Sequence, residues 1–284
     1  MKLDIWPLVT AIITACCGYG LLFVLQERAF KATHANLKPV PPVQLLRVAT
    51  GYGRQLAAEV IFVQASVFVG GLHEDLDPQG NAPVLAYNYL TTAQLYPEFR
   101  DTYYHAQSFL AGLDEGNTRK TNEILAIARK NDRNNFLYPF FQGFNCFSYL
   151  HDLKQAVAIF SETSLIPDAP PFFEHMAILL RAEGGELEAG LASLQILVQT
   201  TDDQERRKKY EEEIGMFNQA LVVQKAANDF FARHQRYPAK LEELVPSYLT
   251  ELPDFHGVFE LGWQAPNVEL HRPRVRAFEG VRKP

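Results

Sequence analysis

Apolar residues recur at helical spacing through most of the chain between residues 43 and 234, which predicts a succession of amphipathic helices. A short segment, VQLLRVA (43–49), precedes RQLAAEVIFVQASVFV (54–69), which is strongly apolar with Leu56, Val60, Val63 and Val67 at helical spacing. After the loop GGLHEDLDPQGNAP the pattern resumes over 83–95 and 98–112, split by Pro97, and over 118–130 behind DEGN. Helices are then expected over 137–150 and 152–165, split near His151, and over 171–183 and 187–199, split by Gly184-Gly185. A long, charged helix follows from about Asp203 to His234, and no strand alternation rises above the helical signal until about residue 255.

The N-terminal pattern is different. From Ile5 to Leu25 the chain runs 21 residues without a charge, enough for about 31 Å of helix, close to the hydrocarbon thickness of a bilayer. A membrane-spanning helix is therefore expected over 5–25, within an anchor of residues 1–30. The alternative is a lipoprotein signal cut before Cys16, because Ile13-Thr14-Ala15-Cys16 resembles such a site. Apolarity persists beyond it through Gly18-Tyr19-Gly20-Leu21-Leu22-Phe23-Val24-Leu25, whereas a cleaved signal ends in a polar mature start. Thr10, Thr14 and Gly18 recur every four residues, a small face against which a second membrane helix can pack. A stiff linker, ending in NLKPVPP, occupies residues 31–42.

Paired helices of this length with short breaks suggest helical repeats. The stretch FFQGFNCFSYLHDLKQAVAIFSETSLIP (140–167) resembles a tetratricopeptide repeat, with Gly143 at the small position of its first helix. Ala156 and Phe160 stand at the small and large positions of its second, and the chain turns at Pro167. Looser units use Ala106, Leu125 and Ala128, then 54–69 with 83–97, and 171–199 with Ala189. The resemblance implies an all-α, TPR-like α-solenoid of about three to four degenerate helix pairs over 43–201. A capping helix is expected over 202–234. The following FFARHQRYPAKLEELVPSYLTELPDFHGVFELGW resembles a small module found at the ends of pseudopilins and some envelope repeat proteins. It implies a short LEEL helix and a hairpin at Val258 to Trp263, an α+β cap over 235–265. Residues 266–284 are expected to be a basic, disordered tail.

Composition narrows the function. A net charge of −6 makes the chain no general nucleic-acid binder. The three cysteines, Cys16, Cys17 and Cys146, form no CxxC pair, so neither a disulfide framework nor a zinc site is expected. Asp75, Asp77, Gln79 and Gly80 fit the first positions of a calcium loop, but the twelfth position, where a glutamate is required, is Ala86. No nucleophile, phosphate-loop or HExxH motif is present, so no enzyme activity, metal or cofactor is expected.

What remains is binding. Candidate partner-binding residues on the first helices of the repeats are Tyr103, Gln107, Gln142, Asn145 and Tyr149. The expected function is a membrane-anchored scaffold mediating protein–protein interaction or assembly of an envelope complex. The alternative is a structural subunit whose transmembrane helix is the main interface. The expected location is a bacterial inner membrane, single-pass, with the body on the periplasmic side.

Overall fold

The computed structural model describes Thr14 and residues 17–25, 37–70 and 78–273. Thr10, most of the predicted span, the first part of the linker, the aspartates of the calcium-like loop and the end of the basic tail lie outside these residues. The described chain is predominantly helical with one small antiparallel hairpin. It divides into two compact units, Met1–Asp132 and Arg133–Pro284; sequence reading had treated 43–201 as one run of repeats.

Residues 17–25 are helical (α1). Their side chains are exposed, Tyr19, Leu21, Leu22, Phe23, Val24 and Leu25 among them. Among the described residues no helix is long and apolar enough to cross a membrane.

The body of unit 1 comprises α2 (Val43–Thr50), α3 (Arg54–Gly70), α4 (Pro78–Leu95), α5 (Arg100–Phe109) and α6 (Glu115–Asn131). The helix expected from residue 83 starts at Pro78 and takes Pro83 into its interior. Proline is well tolerated at a helix's first position, and Asn81 and Asn88 on α4 hold the incoming chain. Asn81 Oδ1 accepts from Leu37 N and Asn88 Oδ1 from Val40 N, while Asn88 Nδ2 donates to Lys38 O. Ala58 and Ile61 of α3 bury with Leu95 of α4, flanked by Val43 and Leu46 of α2. Phe62 packs edge-on to Phe99 and His105, each 4.8 Å between ring centres. Asp114 caps α6 by accepting from Asn117 N at 2.8 Å, and the Arg129 and Lys130 charges at the other end complement the helix dipole.

Unit 2 comprises α7 (Leu137–Ser148), α8 (Leu153–Ser164), α9 (Phe172–Glu183), α10 (Leu187–Thr200) and α11 (Gln204–His234). Each packs on the next in sequence. Gly143 is where α7 meets α8: a Cβ there would collide with the Phe160 ring. Gly190 does the same for α10, since a Cβ would come within 2.7 Å of Phe217 on α11. A short 3₁₀ turn (Leu241–Leu244) and the hairpin β1 (Glu260–Gln264) with β2 (Asn267–His271) close the end. The hairpin expected at Val258 to Trp263 is thus only its first strand. The second strand lies in the segment expected to be a disordered tail, because alternating Val268 and Leu270 are buried against the same core as Phe217 and Phe259.

Candidate interaction surfaces

The five sequence-predicted binding residues separate by exposure. Tyr103 is buried and its hydroxyl donates to Pro97 O at 2.6 Å. Gln142 and Asn145 are also buried, and Gln107 is half-buried. Tyr103, Gln142 and Asn145 therefore do not present their side chains on an open surface. Sequence reading sent the polar residues of α7 outward; instead they share the buried side with Tyr138 and Cys146.

Tyr149 is different, because it stands at the end of a partly exposed aromatic ladder. Phe172 of α9 lies 5.8 Å from Phe140 of α7, Phe140 lies 6.2 Å from Phe144, and Phe144 lies 5.7 Å edge-on from Tyr149. Phe144 and Tyr149 are each 39% exposed and Phe172 is 44% exposed. Large aromatics held rigid by one another, with one side open to water, are the side chains that dominate protein–protein interfaces. The run of phenylalanines was visible in FFQGFNCF, but its stacking partner from α9 was not.

A second open surface lies on α3. Its inward face is Ala58, Ile61, Phe62, Ala65 and Phe68. The stripe picked out by helical spacing, Leu56, Val60, Val63 and Val67, is exposed. Leu45, Val48 and Tyr52, just before α3, are exposed as well.

Unit 2 also contains a buried charge cluster that sequence reading missed. Glu213, 2% exposed in its side chain, accepts from His175 Nε2 at 2.6 Å and from Arg272 at 3.1 Å. The Tyr210 ring lies 5.0 Å from the His175 ring, and the Arg272 guanidinium 5.8 Å from the centre of Phe259. Beside it, burial pushes the Glu174 carboxyl above its usual range. Glu213 lies in the charged first half of the long helix, yet it falls between Tyr210 and Phe217 on the packed face of α11. That position in the apolar period was the available signal. The cluster ties α9, α11 and the residue after β2 together, which is a structural role. Among the described residues no group of three or more His, Cys, Asp or Glu side chains could hold a metal ion.

On α1, Gly18 is exposed, and among the described residues nothing beyond its own helix lies within 4 Å of where its Cβ would be. Of the three residues predicted for membrane-helix packing, Thr14 and Gly18 are helical and exposed. No family model, no curated protein and no solved structure matches the chain.

Proposed function

We propose that the chain is a membrane-anchored, TPR-like helical scaffold that holds a protein partner at a membrane. The observation that carries this reading is the aromatic ladder of Phe140, Phe144, Tyr149 and Phe172, a rigid apolar surface left open in unit 2. The charge-free run from Ile5 to Leu25 supplies the anchor, and the exposed apolar side chains of residues 17–25 suit a lipid environment. The repeat reading is supported by the packing of consecutive helices and by Gly143 beneath Phe160, where a tetratricopeptide-like pair needs its closest approach. The same proposal puts the body on the periplasmic side of a bacterial inner membrane.

A second reading makes the span itself the main interface, and the open face at Gly18 favours it. Capture of the full-length chain from its native membranes separates the two. Loss of a stoichiometric partner on Phe144→Ala with Tyr149→Ala supports the ladder. Loss on Gly18→Leu with Thr14→Leu supports the span. If neither pair of changes alters what is retained, both readings fail.

A further inference from the structure

A helix that is apolar on all sides belongs in a core or against lipid, and α3 is apolar on two opposite sides. One side packs on α2 and α4; the other, Leu56, Val60, Val63 and Val67, is left exposed among the described residues. We propose that this outward stripe rests on the headgroup–acyl boundary of a bilayer, so that the body lies on the membrane beside its anchor. The proposal rests on the anchor reading above.

Four observations select lipid over another helix. The helix has 17 residues, about 25 Å, which is too short to cross the hydrocarbon but suits a helix lying in the interface. Its 4-3-4 spacing covers about two heptads, short of the three to four that sustain a coiled coil. The local charge also fits. Between Leu37 and Gly70 stand Lys38, Arg47 and Arg54 against Glu59 alone, in a chain whose net charge is −6. A net-basic segment is drawn toward acidic phospholipid, with the Arg47 guanidinium itself donating to Gln94 O of α4. Tyr52, fully exposed where α3 begins, has the amphipathic ring found at headgroup depth.

Geometry makes the contact reachable. The hydrogen bonds from Asn81 and Asn88 fix residues 37–40 to α4. Between Leu25 and Leu37 the chain can therefore extend at most about 40 Å, so the anchor keeps α3 near the bilayer surface. At such range attachment works as a high effective concentration, and a weak four-residue stripe is sufficient to orient the body.

The test uses the full chain reconstituted in vesicles of phosphatidylethanolamine and phosphatidylglycerol. A photoreactive residue is placed by Val60→p-benzoylphenylalanine or Val63→p-benzoylphenylalanine, with the exposed position 196 of α10, Ile196→p-benzoylphenylalanine, as the comparison. After irradiation, intact mass identifies what has been attached. The expected result is lipid adducts at 60 and 63 several-fold above those at 196, falling as salt is raised. A cross-link joining two copies, a cross-link to residues 5–25, or no excess over position 196 would overturn the proposal. Alkaline carbonate extraction of the same vesicles reports on the anchor separately. A chain that washes off yet carried lipid at 60 refutes the anchor and keeps the α3 contact; a chain that stays without adducts does the reverse.

Discussion

The two units treat their terminal apolar surfaces in opposite ways. In unit 2, α10 is covered by α11, whose buried side of Tyr210, Phe217, Ala220, Val223 and Phe230 joins a core shared with Phe255, Phe259, Val268 and Leu270. The outer side of α11 is charged and exposed, which is what the terminal element of a stacked helical array requires. In unit 1, α3 has an outer side of leucine and valine that is exposed among the described residues. A helical array left with such an end is a binding surface or an aggregation liability. The difference teaches that the C-terminal segment finishes a fold, whereas the N-terminal segment presents one.

The comparison can be broken most forcefully at Phe217, which is fully buried beneath Gly190 and 6.1 Å edge-on from Phe259. Phe217→Ala is expected to destabilise the chain by about 3–5 kcal/mol, read by urea denaturation in detergent. A loss below 1 kcal/mol would mean that the cap is not packed as described. The next effect is at the α7–α8 contact. Gly143→Val pushes a branched side chain into the Phe160 ring and should cost about 1–3 kcal/mol; an unchanged midpoint would remove the close approach from the account.

A smaller, pH-dependent effect belongs to the start of α11. Asp203 caps this helix, and the Arg206 N–H, then the Arg206 side chain, hold its carboxyl below the usual aspartate range. A lowered folded value means stabilisation present above the ordinary aspartate range and lost as pH falls through the folded value. Asp203→Asn should therefore narrow its gap from the parent chain on acidification; a gap that widens contradicts the cap. Smallest of all is Val60→Ser on the open stripe, expected to change stability by no more than about 0.5 kcal/mol. A loss as large as that at Phe217 would show that α3 is covered by protein, and the contrast between the units would collapse.

Much of this was legible in the sequence where local chemistry is decisive. His151 and Gly184-Gly185 punctuate unit 2, so α7 to α10 fall within two residues of where periodicity puts them. Gly143 was read as a small position on the first helix of a pair, and the second helix does come close there, with the Phe160 ring against it. Periodicity failed where two faces are both apolar. In α3 it picked out the leucine–valine stripe, but the buried face is made by Ala58, Ile61, Phe62, Ala65 and Phe68, with the Phe62 ring against Tyr89, Phe99 and His105. Polarity misled in α7, where Gln142 and Asn145 are buried while Phe144 stays partly exposed. Glu213 was hidden by its acidic neighbours, because nothing local reveals a histidine 38 residues away in sequence.

The contrast between the capped end of unit 2 and the open stripe of α3 is tested most directly by thiol labelling of the full chain in nanodiscs. In a background of Cys16→Ser, Cys17→Ser and Cys146→Ala, a membrane-impermeant maleimide is applied to Val60→Cys and, separately, to Ile196→Cys. Both positions are exposed in the protein itself. The account predicts that position 196 labels freely and position 60 is protected by the bilayer. Equal labelling at the two positions would contradict it.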